Sequence, residues 1–401
     1  MIKFTYLFKN KFNPILEIRP IKSQTKTLKI QNLVYLSLFA LCWFYPITSD
    51  AFELSSVTVG ANPWAIGLNP DTNMIYVTNN GNDTVSVVDG STNMVSANVT
   101  VGPYPSGLAV NPVTNMVYAA RFPSSAVSVI DGSTNTVTTT VSVGKFPSGV
   151  AVNPVTNTIY VTNSISNTVS VIDGAVNTVS ANVTVGTHPA GVAVNPLDSK
   201  IYVANNVGGT ISIIDGTTNT VSTNVTVGTN PAGVAVNTVT NTIYVSNSGD
   251  GTISVINGAT NTVSATIQVR SGPDGVAVNE STNTIYVSNS GNGTISVING
   301  ATNTVSATIP VGTHTYAIAV NPSSGKLYTA NDTPGVLYII AVDSNSHIMS
   351  PLQQVHSGVK PTQVTCHSGL ELVLKQSNGY PVCVKPNNVE KLLARGWAIR
   401  V

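Results

Sequence analysis

Residues 148–186 read SGVAVNPVTNTIYVTNSISNTVSVIDGAVNTVSANVTVG, and the order of apolar and turn residues in this stretch decides the fold. Apolar segments at 150–152, 158–162, 169–172 and 179–185 are rich in Val, Ile, Thr and Tyr, the residues that suit a pleated, half-buried surface. Between them stand Asn153-Pro154, the polar run 164–167 and Asp173-Gly174. Each of these breaks allows the chain to reverse. The stretch is therefore four short antiparallel strands.

The unit recurs. Tyr76, Tyr118, Tyr160, Tyr202, Tyr244, Tyr286 and Tyr328 follow one another at a spacing of 42 residues without a slip. One four-stranded unit cannot bury both its faces, whereas radial packing of seven covers them all. A solenoid with 42-residue coils needs parallel rungs, and the Asp-Gly and Asn-Pro punctuation marks tight reversals instead. Small residues in the first strand, as in Gly149-Val150-Ala151-Val152, suit the narrow space near an axis. Composition agrees: 42% of the 401 residues are hydrophobic and only 9% are charged. The expected fold is all-β, a seven-bladed β-propeller of four-stranded antiparallel blades over residues 54–364.

Tyr76-Val77-Thr78-Asn79 and Tyr160-Val161-Thr162-Asn163 spell YVTN, and Tyr244-Val245-Ser246-Asn247 and Tyr286-Val287-Ser288-Asn289 vary it by one residue. In these motifs the chain resembles the YVTN β-propellers of archaeal surface-layer and other exported proteins, which are related to lactonase-like and nitrous-oxide-reductase-type propellers. The resemblance covers about three quarters of the chain. The resemblance concerns fold and not activity; an export signal at the N-terminus, low charge and uniform blades lead to the expectation of an exported binding or scaffold module at the cell surface.

The two ends of the chain differ from the repeat. Seven Lys and Arg precede an apolar run from Leu33 to Ile47, followed by Ser49 and Ala51, so residues 1–51 are expected to be a cleaved signal peptide or, alternatively, a signal anchor. That segment is the expected membrane contact. The last blade has two candidates for its fourth strand, residues 54–59 and 347–355, and the N-terminal one is preferred because it ties both chain ends into one sheet. Residues 365–401 are expected to form a small module. It has strands near 370–374 and 382–385, an Asn378-Gly379 turn, a helix from Asn387 or Asn388, and Gly396 as its cap. This tail resembles a C-terminal module of exported proteins from ammonia-oxidising archaea. Cys366 and Cys383 are expected to form a disulfide.

In a propeller, the loops joining one blade to the next and the loops joining second to third strands emerge at the same end. There the repeats differ. Equivalent positions carry Asn62, Tyr104, Phe146, His188, Asn230, Gly272 and His314; two residues on stand Trp64, Ser106, Ser148, Ala190, Ala232, Asp274 and Tyr316. Arg121 replaces the signature asparagine of the second blade and is followed by Phe122, while Arg270 replaces a glycine found in the other repeats. Aromatic and Arg side chains supply binding energy disproportionately. The expected ligand-binding surface is therefore Trp64, Tyr104, Arg121, Phe122, Phe146, His188, Arg270, Asp274, His314 and Tyr316.

Catalysis finds less support, and no cofactor or metal is expected. Asp89, Asp131, Asp173 and Asp215 each precede Gly and give way to Asn257 and Asn299, an exchange that a turn tolerates and acid–base chemistry does not. His188 and His314 belong to blades nearly opposite each other, too far apart for one zinc ion. The expected function is thus not enzymatic, with a lactonase-like hydrolase as the alternative. Nucleic-acid binding is the second alternative, and residues 54–364 oppose it with six Lys and Arg against twelve Asp and Glu. The expected partner is a protein or glycan at the cell surface. Asn82, Asn98, Asn182, Asn224, Asn279, Asn292 and Asn331 head Asn-x-Ser/Thr sequons, candidates for glycosylation of an exported chain.

Overall fold

The computed structural model describes residues 52–312 and 314–341 and, in the tail, 360–363, 371–376, 379, 381–384, 386–396 and 398–400. The expectations for residues 1–51, strand 347–355, Asn378 and the Cys366–Cys383 pairing lie outside the described residues.

Seven four-stranded antiparallel sheets follow one another along the chain. The first comprises β2 (Pro63–Asn69), β3 (Met74–Asn79), β4 (Thr84–Asp89) and β5 (Met94–Thr100), paired in that order. The first strand of each sheet contacts the first strand of the next, and the ring closes between the seventh sheet and the first. The molecule is a seven-bladed propeller with these strands around its axis. The seventh blade contains β26 (Thr315–Val320), β27 (Lys326–Asn331) and β28 (Val336–Ala341), and its outermost strand is β1 (Glu53–Thr58), which pairs with β28. The N-terminal strand therefore closes the ring, as preferred from the sequence.

The apolar cores lie between blades. Tyr76 packs with Val85, Val87 and Val99 of its own blade against Leu108, Val117, Ala119 and Ile130 of the next, and equivalent clusters fill all seven junctions. The recurrent tyrosine is buried in every blade. Its ring reaches under the neighbouring blade, where the Tyr76 hydroxyl comes close to Gly132.

The other signature residues act as latches. A bulge between Pro63 and Ile66 takes the Ala65 N–H out of the ladder. Thr78 Oγ1 accepts that N–H at 2.8 Å and donates to the Ser106 carbonyl of the next blade at 2.9 Å. Thr162, Ser246 and Ser288 repeat this double contact, donating to the carbonyls of Ala190, Asp274 and Tyr316 at 2.6, 2.5 and 2.7 Å. The asparagine ties second strand to third: Asn79 Nδ2 donates to Thr84 Oγ1 and Ser86 Oγ at 3.0 and 2.9 Å. Such closeness at the axis requires glycine. A Cβ on Gly191 would lie 2.1 Å from the Ala232 carbonyl oxygen, and one on Gly233 2.2 Å from that of Asp274.

At the opposite end of the ring, turns and latches coincide. The Asp89 carboxylate accepts the Ser91 N–H at 2.7 Å, Asp215 accepts that of Thr217 at 2.8 Å, and Asn257 accepts that of Ala259 at 2.9 Å, so these residues shape turns. Hydrogen bonds from the Ser91, Ser133 and Thr217 hydroxyls hold Asp89, Asp131 and Asp215 below the usual carboxylate range. The recurrent Asn-Pro-x-Thr-Asn loops do more than turn. Asn69 Nδ2 donates to Asn115 Oδ1 of the next blade at 2.7 Å, and Asn111 and Asn237 do likewise to Asn157 and Asn283. The pattern breaks at Asn153, whose counterpart in the next blade is Ser199 and whose Nδ2 is buried without a partner among the described residues.

In the tail, β29 (Glu371–Lys375) pairs with β30 (Pro381–Val384) and also with β31 (Ala398–Arg400), a strand that the sequence did not suggest. A helix, α1 (Pro386–Ala394), precedes Gly396, which takes a φ of 60° and donates its N–H to the Leu393 carbonyl. Val373, Val389 and Ala398 form its small core. Among the described residues no helix is long and apolar enough to cross a membrane.

Candidate functional site

The loops at the irregular end are zipped together by one backbone contact per blade. The carbonyls of Asn62, Tyr104, Phe146, His188, Asn230, Gly272 and His314 accept the N–H of the residue that follows the signature tetrad, such as Phe122 on Tyr104 at 3.1 Å and Ser164 on Phe146 at 2.9 Å. All seven take left-handed backbone angles, with φ between 49° and 64°. Asn and Gly suit that conformation; Tyr and Phe do not. Tyr104 at 49° and Phe146 at 57° therefore hold side chains on this face against a local conformational cost of about 1 kcal/mol each.

The second set of variable positions falls in the bulges of the axial strands, which turn Trp64, Asp274 and Tyr316 toward one cavity. This cavity has a volume of about 270 Å³ and is lined by residues from all seven blades. Its walls are unequal. Blades six, seven and one supply Asp274, Tyr316 and Trp64, while the other four supply only Gly, Ser and Ala. Trp64 and Tyr316 stack across the junction of the seventh and first blades, with centroids 4.7 Å apart and planes at 25°. Trp64 remains 44% exposed.

Among the described residues Asp274 is the only carboxylate on the cavity wall. Its backbone carbonyl is fixed by Ser246 Oγ, and its carboxylate has no hydrogen-bond or ion-pair partner among the described residues. Protein crowds it on most sides while one side stays open to the cavity, and burial pushes its pKa up to about 6. Burial also raises Tyr316, as do the negative charges of Asp332 and Asp274.

The structure divides the ten expected ligand contacts. Trp64, Asp274 and Tyr316 share the axial cavity. Phe122 and Phe146 meet edge to face at 4.8 Å on the rim of the second and third blades, and exposed Tyr104 stands in the loop whose carbonyl holds Phe122. His188 and Arg270 are exposed, each on its own interblade loop, and the His314 ring lies 3.8 Å from Asp332. Arg121 stands half-buried in place of the signature asparagine, with its guanidinium over Gly102 and its Nε buried without a partner among the described residues.

The sequons also separate. Asn279 and Asn331 are 5% and 1% exposed, and the folded chain has no room for a glycan on either. Asn98, Asn182 and Asn224 sit on outermost strands, each accepting a hydroxyl from Ser86, Ser170 or Ser212 at 2.7 Å. Asn82 and Asn292 are exposed in loops, where their Oδ1 atoms accept the N–H of Ala61 and Ser271. Among the described residues no three His, Cys, Asp or Glu side chains come together as a metal site.

Sequence comparison with known proteins is silent: no protein-family model and no curated protein matches this chain. Structural comparison is not. The solved structure of Kuenenia stuttgartiensis hydrazine synthase matches 71% of this chain and 97% of its own, with a TM-score of 0.66 and 20% sequence identity. At that identity the similarity is one of fold, and the fold it supports is the β-propeller.

Proposed function

We propose that this chain is an exported, cell-surface binding propeller of the YVTN type, which contacts a protein or glycan through the irregular end of the ring. One observation carries the proposal. Bulky side chains concentrate around a single axial cavity, where Trp64 stacks on Tyr316 beside Asp274, while the rest of its wall is small. Stacked, half-exposed aromatic residues around a concave mouth are the usual anchors of recognition. The test compares the intact protein with a Trp64→Ala/Tyr316→Ala variant for binding to envelope material from native cells. Loss of about tenfold or more in affinity is expected; equal binding refutes the assignment.

Asp274 favours a second reading, a lactonase-like hydrolase. A carboxyl group titrating at about 6 in a cavity is poised for proton transfer. Against this, Tyr316 is the only other titratable side chain on the wall among the described residues. Lactone turnover that disappears in Asp274→Asn, measured by acid release, would establish the hydrolase.

A further inference from the structure

We propose that the axial mouth takes an organic cation, an alkylated ammonium group packed against the Trp64–Tyr316 pair with the Asp274 carboxylate as its counter-charge. This rests on the assignment of that mouth as the binding site and names the chemistry that it selects.

Three observations converge on a cation. The first is an uncompensated charge: the Asp274 carboxylate faces a cavity without a Lys, Arg or His on its wall, and no hydrogen bond satisfies it among the described residues. A buried carboxylate in that state is normally paired or neutralised, and a bound cation would supply the pair. The second is the aromatic wall. Trp64 offers the most favourable ring for a cation, and stacking on Tyr316 fixes it in place. The third is the field, since the two charges that act on Tyr316, those of Asp274 and Asp332, are both negative.

Size and polarity narrow the class. At about 270 Å³ the cavity falls below the roughly 300–1,000 Å³ of sites that enclose drug-sized ligands, so it accepts a small molecule or the tip of a larger one. A sugar ring would stack on Trp64 equally well. It would leave the carboxylate charge uncompensated, and apart from Ser148 the remaining wall is Gly and Ala, with few side-chain groups for its hydroxyls. A methylated ammonium needs no such groups, because it binds by charge and by contact.

Trp64 is the single tryptophan of residues 52–364, the others being Trp43 and Trp397, so the quenching that is lost in Trp64→Ala reports on the mouth. The intact protein is titrated with tetramethylammonium chloride, choline, a peptide carrying trimethyl-lysine, neopentyl alcohol as a neutral isostere, and methyl glucoside. Calorimetry and fluorescence quenching are recorded at pH 5 and pH 7.5. The ammonium compounds are expected to bind about tenfold or more tightly than the neutral isostere, and more tightly at pH 7.5, where Asp274 is ionised. Asp274→Asn is expected to lose that preference while keeping its circular dichroism, and Trp64→Ala to lose binding. Preference for choline over the peptide identifies a free small molecule, and the reverse identifies a modified side chain. The cation assignment falls if the neutral isostere binds as well as tetramethylammonium, or if Asp274→Asn binds cations like the parent. Trp64-dependent binding of methyl glucoside or envelope material without cation binding would overturn this inference alone. Absence of any Trp64-dependent binding removes the site itself.

Discussion

The two ends of the ring solve the same backbone problem with different residues. At the uniform end, the tight left-handed positions are filled by residues such as Asn73, Asn115, Asn157, Asn241 and Asn283, at φ between 49° and 56°. All five of these asparagines also accept a hydrogen bond from the blade before. At the irregular end, the same backbone region holds Tyr104, Phe146, His188 and His314. The first end places the residue that the conformation prefers. The second also holds Tyr104 and Phe146, which that conformation does not prefer, and displays their large side chains at one face. Departure from the locally preferred residue is where function is expected to show.

The comparison can be broken most severely with alkali. The recurrent tyrosines run beneath the turns of the uniform end, and burial raises them all, Tyr202 and Tyr286 to about 12. A folded-state pKa raised above the unfolded value near 10 contributes stability that is complete below pH 10 and lost as pH rises toward 12. Cooperative unfolding is therefore expected between about pH 10 and about 12, with phenolate absorbance and circular dichroism changing together. Ionisation at pH 10 of more than the seven tyrosines outside the recurrent set, without loss of structure, would show that the recurrent hydroxyls are not buried in the cores.

A smaller effect separates the ends by mutation. Asn237 is buried, donates to Asn283 and accepts the N–H groups of Val239 and Thr240. Asn237→Ala is expected to lower stability in denaturant by about 2 kcal/mol. Asp274→Asn, at the irregular end, is expected to do the opposite. Its folded pKa of about 6 lies above the unfolded value, so the contribution of the carboxyl is complete below about pH 4 and lost as pH rises through 6. The amide should therefore raise stability by about 2 kcal/mol at pH 7 and change little at pH 3. The smallest expected change is in Tyr104→Asn, a gain of about 0.5 kcal/mol from relief of the left-handed conformation, read as a shift in melting temperature. A loss there would mean that Tyr104, 55% exposed, is held by packing and has no need of a ligand to explain it.

Much of this was legible in the sequence because its signal is periodic. The spacing of the tyrosines gave the blade number, the Asp-Gly and Asn-Pro pairs gave the reversals, and the advantage of tying both chain ends into one sheet pointed to closure by residues 54–59. Contacts between periods were not legible. Thr78 meets Ser106, and Asn69 meets Asn115, at separations that become neighbours only once the ring is closed. The apparent turn residues of the Asn-Pro-x-Thr-Asn loops concealed a second role for that reason. Arg121 was legible as a departure from the repeat, but its half-buried position over Gly102 depends on packing that spacing does not show. Trp64, Asp274 and Tyr316 were identified as a variable set, but the bulges that gather them into one cavity depend on register, which spacing alone does not fix.

The most direct measurement uses a ring made uniform. Trp64, Asp274 and Tyr316 are changed to Ala, and Tyr104, Phe146, His188 and His314 to Asn, and binding to native envelope material is compared with that of the parent. The uniform ring is expected to melt at the same temperature or higher and to bind nothing. Retained binding by a folded uniform ring would contradict the assignment of function to the irregular end.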